Sequence, residues 1–338
     1  MTRTDNAVIV SVDVRKNPSL QLAGSIVGND QVYPLVAVLI INYNGLADTL
    51  ECLDSLKDQI YPNTEVIVLD NGSERDELET IRTHQCRPLC IQSKSNLGFA
   101  KASNIQIRTA LKLGAKYVLL LNNDTIVEPD IIDKMVSAAR VRGVGIVGAK
   151  IYYYYSKSLL NSVGGRIYWP IGYIRDEGLN RRDSPIYDNI SDRDWVSGCA
   201  MLISSEVLTK VGLLDETNFP QGGEDYDICV RAKSAGFRIV YSSAARVYHK
   251  VSKTRRRDYS KINTGISGTD PKFALFFKYG KSKLRLVVSL LLYEVIFRQI
   301  EMLGYLLMTR DPELKKYYQR KLIWILGSKL GAPFRQFG

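Results

Sequence analysis

Tyr117-Val-Leu-Leu-Leu-Asn-Asn-Asp-Thr-Ile-Val-Glu-Pro-Asp130 is the stretch whose reading decides the fold. Its first five residues, Tyr117 to Leu121, form a continuous apolar run, too short for a helix and suited to a strand buried on both faces. The run stops at Asn122, Asn123 and Asp124, and Pro129 introduces a helical pattern. Ligands of open α/β sheets sit beyond the carboxyl ends of such strands. A single carboxylate flanked by amides suits a divalent cation that keeps waters and takes further ligands from a phosphorylated substrate. A polar turn after a core strand, with Asn and Asp serving turn chemistry, accounts for the same residues equally well.

The pattern repeats upstream. Leu35 to Ile41 is an apolar run ending in Asn42-Tyr43-Asn44-Gly45, and Leu46, Leu50, Leu53 and Leu56 then recur at helical spacing, with Asn44 as a cap. Glu65 to Leu69 is a second run, ending in Asp70-Asn71-Gly72-Ser73, followed by a short helix over Asp76 to Thr83. Leu89 to Gln92 is a third, followed by Asn96-Leu-Gly-Phe-Ala100 and a helix to about Leu113. Four strands alternating with helices predict a parallel, doubly wound sheet with right-handed crossovers. The polar clusters at the strand ends then converge on one sheet edge. Asp70 there can bond a ribose or base edge, or serve an Asx turn.

Downstream the pattern changes. Ile146 to Tyr155, Arg166 to Ile174 and Trp195 to Ile203 are β-rich, and the polar stretch Asn161 to Arg193 predicts a mobile loop. Phe219 to Lys233 carries Gly222-Gly223 and then enters a helix whose first turn holds Glu224, Asp225 and Asp227. Acids there favour the helix dipole. Adjacent carboxylates also perturb one another's ionisation, giving one a basicity suited to deprotonating a hydroxyl. Phe237 to Tyr241 is a further strand, and Ala245 to Lys250 carries His249, ahead of the cationic run Lys250, Lys253, Arg255, Arg256 and Arg257. That basic run suits a diphosphate or a solvated face.

Composition narrows the class. An apolar fraction of 45% and a charged fraction of 24% belong to a folded chain. Five scattered cysteines, with no Cys-x-x-Cys pair, predict reduced thiols, and His84, Cys86 and Cys90 form an ordinary loop. Neither Gly-x-Gly-x-x-Gly after the first strand nor a phosphate-binding Gly-x-x-x-x-Gly-Lys-Ser/Thr loop occurs, which argues against dinucleotide and P-loop enzymes.

Together these stretches resemble the family 2 glycosyltransferases, inverting enzymes of the GT-A fold, and especially their rhamnosyltransferase-like branch. The residues that carry the resemblance are Val38 to Gly45, Val66 to Ser73, Asn96 to Asn104, Asn122-Asn-Asp124, Trp195 to Leu202, Gly223 to Arg231 and Val247-Tyr-His249. The resemblance implies an α/β GT-A fold, Rossmann-like with a mostly parallel central sheet, over residues 35–254. Residues 1–34 are then an N-terminal extension and residues 255–338 a basic, amphipathic helical tail. It implies donor contacts from Ile41, Tyr43, Asp70, Asn71, Asn96, Gly98, Asn104 and Asn123, and acceptor contacts from Trp195 and Gly198. It further implies Mg²⁺ or Mn²⁺ on Asp124 and His249, with Asp225 as general base and Glu224 beside it. The partners implied are a UDP- or dTDP-linked sugar and a glycan or lipid-linked acceptor, in polysaccharide assembly. The sequence departs from the family's Asp-x-Asp metal motif: Asn122 and Asn123 stand before the single carboxylate of Asp124.

Charge is uneven: residues 250–338 hold 19 Lys/Arg against 6 Asp/Glu, or +13 of the chain's +11, leaving −2 for the rest. Such asymmetry predicts contact with an anionic surface. Leu284 to Met308 is 25 residues long and mostly apolar, but Arg285, Glu294, Arg298 and Glu301 interrupt it. An amphipathic helix at the membrane surface or packed on the catalytic domain is expected rather than a span, with Leu314 to Leu326 as a basic-aromatic interfacial companion, at the cytoplasmic face of a membrane. Helix pairing in a homo-oligomer is the competing expectation. The rival functions are a nucleotidyltransferase, a nucleic-acid binder and a non-catalytic sugar-nucleotide binder. The first lacks a Gly-rich basic loop after the first strand, the second lacks stacking aromatics on a sheet, so no nucleic acid is expected. The third stays open because of the missing carboxylates.

Overall fold

A computed structural model describes residues 11–12, 25–28, 31–251 and 271–280. The expectations for Lys253 to Arg257, Leu284 to Met308 and Leu314 to Leu326 lie outside these residues.

Strand β1 (Val36–Asn42) is buried along almost its whole length. Helix α1 (Leu46–Leu56) follows and buries Thr49, Cys52, Leu53 and Leu56. Then come β2 (Thr64–Asp70), α2 (Leu78–Arg82), β3 (Leu89–Gln92), α3 (Phe99–Lys112) and β4 (Tyr117–Leu121). These strands lie parallel in the order β3-β2-β1-β4. The register sets Asn42 beside Asp70 and Asp70 beside Gln92, so the strands end level. Each fully buried Val, Leu or Ile contributes roughly 1.5–3 kcal/mol. A slip of β1 would forfeit several such terms, which fixes Asn42 at the sheet edge.

Beyond β4 lie β5 (Thr125–Val127), α4 (Ile131–Ala139), β6 (Val144–Tyr153) and β7 (Ser156–Ser162). They are followed by β8 (Ala200–Ser204), α5 (Ser205–Val211), α6 (Glu224–Ser234) and β9 (Arg238–His249). Strand β8 sits antiparallel between β4 and β6, while β9 runs parallel to β6. The sheet is thus mostly parallel and covered by helices, as an α/β fold of the GT-A kind requires. The two apolar stretches at 237–241 and 245–250 form one strand, β9, with a register shift between Ser242 and Arg246. That irregularity turns the strand's end onto β5, pairing His249 with Thr125.

Several elements escaped the hydrophobic pattern, among them two strands next to the site. Strand β7 is mostly polar, yet it pairs with β6, and three-residue β5 pairs with β9 and donates from the Val127 N–H to the Ser55 hydroxyl on α1. The segment expected to be a mobile loop is tied down at several points. Lys150 on β6, fully buried, binds Asp183 Oδ1 at 2.6 Å and Asp188 Oδ1 at 2.9 Å. The Tyr152 hydroxyl donates to Asp183 Oδ2 at 2.6 Å. The described residues divide into two compact units, the smaller made of 168–173 with 276–280. Within it Trp169 meets Phe276, from helix α7 (Pro271–Tyr279), edge-on at 5.4 Å.

Candidate active site

The polar turn after β4 is the centre of the site. Asp124 is 5% exposed, and its Oδ1 lies 3.1 Å from His249 Nε2. The pairing of β5 with the end of β9 brings the two together across 125 positions of sequence. Asn122 Nδ2 lies 3.4 Å from the same imidazole nitrogen, and Asn161 Oδ1 lies 3.2 Å from Nδ1. Burial alone would push the His249 imidazole down, but Cys199 and Asp124 beside it outweigh burial and raise it to about 10.

That arrangement fits the cation implied by the resemblance. Two ligands of an octahedral ion, each about 2.1 Å from it and at right angles, stand about 3 Å apart, and the Asp124–His249 separation is 3.1 Å. The carboxylate oxygen suits Mg²⁺ or Mn²⁺ that takes water and substrate oxygens for its remaining positions, whereas an imidazole nitrogen is the more usual ligand of Zn²⁺, Cu²⁺, Fe or Ni²⁺. Among the described residues no third His, Cys, Asp or Glu completes a protein-only set. Of the basic run expected at a diphosphate, Lys250 is described. Its Nζ is engaged by Asp48 Oδ1 at 2.6 Å and by Glu51, both on α1.

At the other end of the edge, Asp70 is almost fully buried. Its carboxylate accepts from Asn42 Nδ2 at 2.9 Å, from the Ser73 hydroxyl at 2.5 Å and from the Ser73 backbone at 3.2 Å. Ile41 and Tyr43, its expected companions, flank Asn42 and are half-buried. Asn71 and Asn96 knit the next two turns together: Asn71 Nδ2 donates to Asn96 Oδ1 at 3.0 Å, and Asn71 Oδ1 accepts from the Leu97 backbone. Gly98 has φ +78°, and a Cβ there would stand 2.9 Å from the Pro220 carbonyl oxygen. Only glycine permits this close approach, which seats the turn before α6 against the start of α3. Asn104 is placed differently from the other expected donor contacts. It is buried, and its amide is taken up by the Leu214 backbone and by Glu216.

The acids at the start of α6 have separate roles. Asp227, fully buried, pairs with Arg231 at 2.7 Å, which also holds the Val211 and Leu213 carbonyls. Asp225 turns the other way: Oδ2 accepts from the Gly198 backbone at 3.1 Å and Oδ1 from the Tyr226 backbone at 2.8 Å. A Cβ on Gly198 would lie 3.8 Å from both Asp225 Oδ2 and Glu224 Oε1. Trp195 stacks edge-on against Tyr226 at 4.7 Å. The Cys199 carbonyl, one residue past Gly198, accepts from the Asn122 backbone at 2.9 Å. Gly198-Cys199 therefore joins Asp225 on one side to the Asn122–Asp124 turn on the other.

Three residues of the site were not singled out from the sequence. Asn42 and Thr49 link Asp70 to Asn123 through hydrogen bonds of 2.7 to 3.0 Å, and Glu77 accepts from Asn42 at 2.8 Å. The signal was present for one of them. Thr49 falls on the same helical face as Leu46, Leu50 and Leu53, a hydroxyl within an apolar stripe.

Residues 34–263 match the family described as Glycosyltransferase like family 2. The chain is 28% identical over 244 residues to the uncharacterized protein y4gI of Sinorhizobium fredii, covering 68% of this chain and 23% of that one. It is 27% identical over 156 residues to the O-antigen biosynthesis protein RfbC of Myxococcus xanthus, covering 44% and 12%. It thus spans less than a quarter of the length of either relative. A better-matched length is found in the uncharacterized glycosyltransferase RT0329 of Rickettsia typhi, 26% identical over 246 residues, 72% of this chain and 70% of that one. Among solved structures, a mannosyltransferase from Pyrobaculum calidifontis, in complex with GDP-Man and Mn²⁺, superposes with a TM-score of 0.55 at 16% identity, covering 87% of this chain and 86% of that one. GalNAc-T7 with UDP, GalNAc and Mn²⁺ gives 0.52 at 15% identity, covering 87% and 58%. At these identities the likeness is one of fold.

Proposed function

The chain belongs to the glycosyltransferase-like family 2, and from that premise we propose that it is an inverting glycosyltransferase, moving a sugar from a UDP- or dTDP-linked donor to a hydroxyl of a glycan or lipid-linked acceptor. The observation that carries the proposal is the Gly198-Cys199 turn, which holds Asp225 through one backbone group and the Asn122–Asp124 turn through another. A candidate base and a candidate diphosphate site are thereby tied to one short rigid segment, the positioning that displacement at a sugar carbon demands.

The donor lies over the strand ends, its base towards Tyr43 and Asp70 and its diphosphate towards Asp124 and His249. Mg²⁺ or Mn²⁺ bound there supplies charge neutralisation for the departing diphosphate. Asp225, its carboxylate fixed by the Gly198 and Tyr226 N–H groups, takes the proton of the acceptor hydroxyl. The hydroxyl oxygen forms its bond to the anomeric carbon from the face opposite the diphosphate, as the bond to the diphosphate oxygen breaks. Configuration is inverted. Trp195 and Gly198 border the acceptor side, and Glu224 lies beside the base. The basic tail brings the enzyme to the cytoplasmic face of a membrane or joins it in a homo-oligomer.

The test is a binding and hydrolysis screen of UDP- and dTDP-sugars with and without Mn²⁺, repeated on Asp225→Asn. The expected outcome is metal-dependent binding and turnover of one donor. The Asn variant keeps donor binding and loses transfer by roughly 10²–10⁴-fold, the span of a general base. Retained turnover in the variant removes Asp225 from the role, and no donor binding at all removes the transferase reading.

A further inference from the structure

We propose that Thr49 is a positioning residue of the donor site: held between Asn42 and Asn123, its hydroxyl fixes the Asn123 amide so that the carbonyl oxygen faces the donor as an acceptor for an O–H group. The inference rests on the transferase reading above for the identity of the donor.

The direction of every bond in the chain follows from what its ends can do. Asn42 is fully buried, and one end of its amide lies 2.9 Å from Asp70 Oδ1 and 2.8 Å from Glu77 Oε2. A carboxylate only accepts, so that end is the –NH₂. The other end, Oδ1, lies 2.7 Å from Thr49 Oγ1 and takes the single proton that a threonine hydroxyl has. Thr49, also fully buried, can then only accept from Asn123, 3.0 Å away, and Asn123 must present its –NH₂ there. In a planar amide the carbonyl oxygen points the opposite way. Asn123 itself is half-buried, at the mouth of the turn that carries Asp124.

Two further features hold this geometry. A Cβ on Gly45 would stand 2.7 Å from Asn123 Nδ2, so the bare glycine leaves the space the amide occupies. The Gly45 N–H donates to Glu77 Oε2 at 3.1 Å, closing the network on itself. All bonds run one way, from Asn123 through Thr49 and Asn42 to two carboxylates, so each polarises the next. The network also accounts for Asn at position 123. An aspartate there would take the Thr49 proton and leave the buried Asn42 oxygen without a donor, a costly vacancy in a dry interior.

The test uses the full chain as wild type, Thr49→Val, which keeps the shape and removes the hydroxyl, and Thr49→Ser, which keeps the hydroxyl. Titration with UDP, dTDP and GDP in the presence of Mn²⁺ identifies the diphosphate that binds most tightly. The Val variant is expected to bind it about tenfold more weakly, the loss of one buried hydrogen bond, and the Ser variant to restore binding. In the free protein the side-chain –NH₂ resonances of Asn123 are expected to move in the Val variant and not in the Ser variant. Wild-type affinity in Thr49→Val, or unmoved Asn123 resonances, overturns the inference. If none of the three diphosphates binds wild type, the transferase reading falls, and the resonances alone decide the role of Thr49.

Discussion

Glu65 shows what a single carboxylate costs when a parallel sheet claims its position. It lies near the start of β2, opposite Ala37, and burial pushes its carboxyl from 4.5 up to about 6. A raised acid binds its proton more tightly folded than unfolded, so stability declines as pH rises from about 4.5 through about 6. Glu65→Gln removes that loss. Its gain should be absent below about pH 4.5, grow across the window and level off above pH 6 at about 1 kcal/mol, discounted for the partial solvation of the group. Urea titrations of both proteins at pH 4 and pH 7.5 check this; an equal difference at both values would refute it. At the same scale the sequence made the ends of the strands legible, because Asp70, Asp124 and His249 interrupt apolar runs. It could not reveal that Asn104 turns towards Leu214 and Glu216. Nor could it reveal that Asp227 pairs with Arg231 while Asp225 accepts from the Gly198 backbone, since helical spacing alone does not say which neighbour occupies which face.

Among elements, legibility followed burial on two faces. Strands β1, β2 and β4 announce themselves as continuous apolar runs, whereas β7 and β5 take their strand pairing from the edges of β6 and β9. The polar segment after β7 is the sharpest example. Its composition suggests a loop, yet Lys150, Asp183, Asp188 and Tyr152 fasten it to β6 from inside. A fully buried ammonium is tolerable only with its carboxylates in place, and removing one partner leaves an uncompensated charge worth several kcal/mol. Asp183→Asn should therefore destabilise the protein by about 3 kcal/mol, tempered because Asp188 remains, and should open residues 180–190 to protease. Lys150→Met, which removes the charge itself, should cost less than Asp183→Asn. Thermal unfolding of the two variants and mapping of the first cleavage site provide the check. A Lys150→Met variant less stable than Asp183→Asn would show that the lysine's packing, rather than its pairing, ties the segment.

On the scale of the whole molecule the dominant feature is where the charge lies. Residues 1–249 carry −2 and residues 250–338 carry +13, on 19 Lys/Arg and 6 Asp/Glu. Among the described residues no helix is long and apolar enough to cross a membrane, and the charges of residues 250–338 offer attraction to an anionic surface. Each Lys or Arg near an anionic bilayer contributes about 1 kcal/mol, falling off within a Debye length of about 8 Å at physiological salt. Even a few tail cations at the surface therefore suffice for measurable binding, and raising the salt should release it. The full chain is expected to co-sediment with phosphatidylserine-containing vesicles at 0.1 M salt and to leave them near 0.5 M, with little binding to neutral vesicles at either. A chain ending at Gly280 should stay in the supernatant with anionic vesicles while retaining donor binding, because the strand ends and α6 lie wholly within residues 36–249. Undiminished sedimentation of the shortened chain would move the contact onto the near-neutral body. Salt-insensitive binding of the full chain would instead mean that the apolar residues between Leu284 and Met308, rather than the charge, hold the surface. The same two proteins separate the oligomer alternative: a change in sedimentation coefficient without vesicles on removing the tail would mark residues 281–338 as the site of self-association.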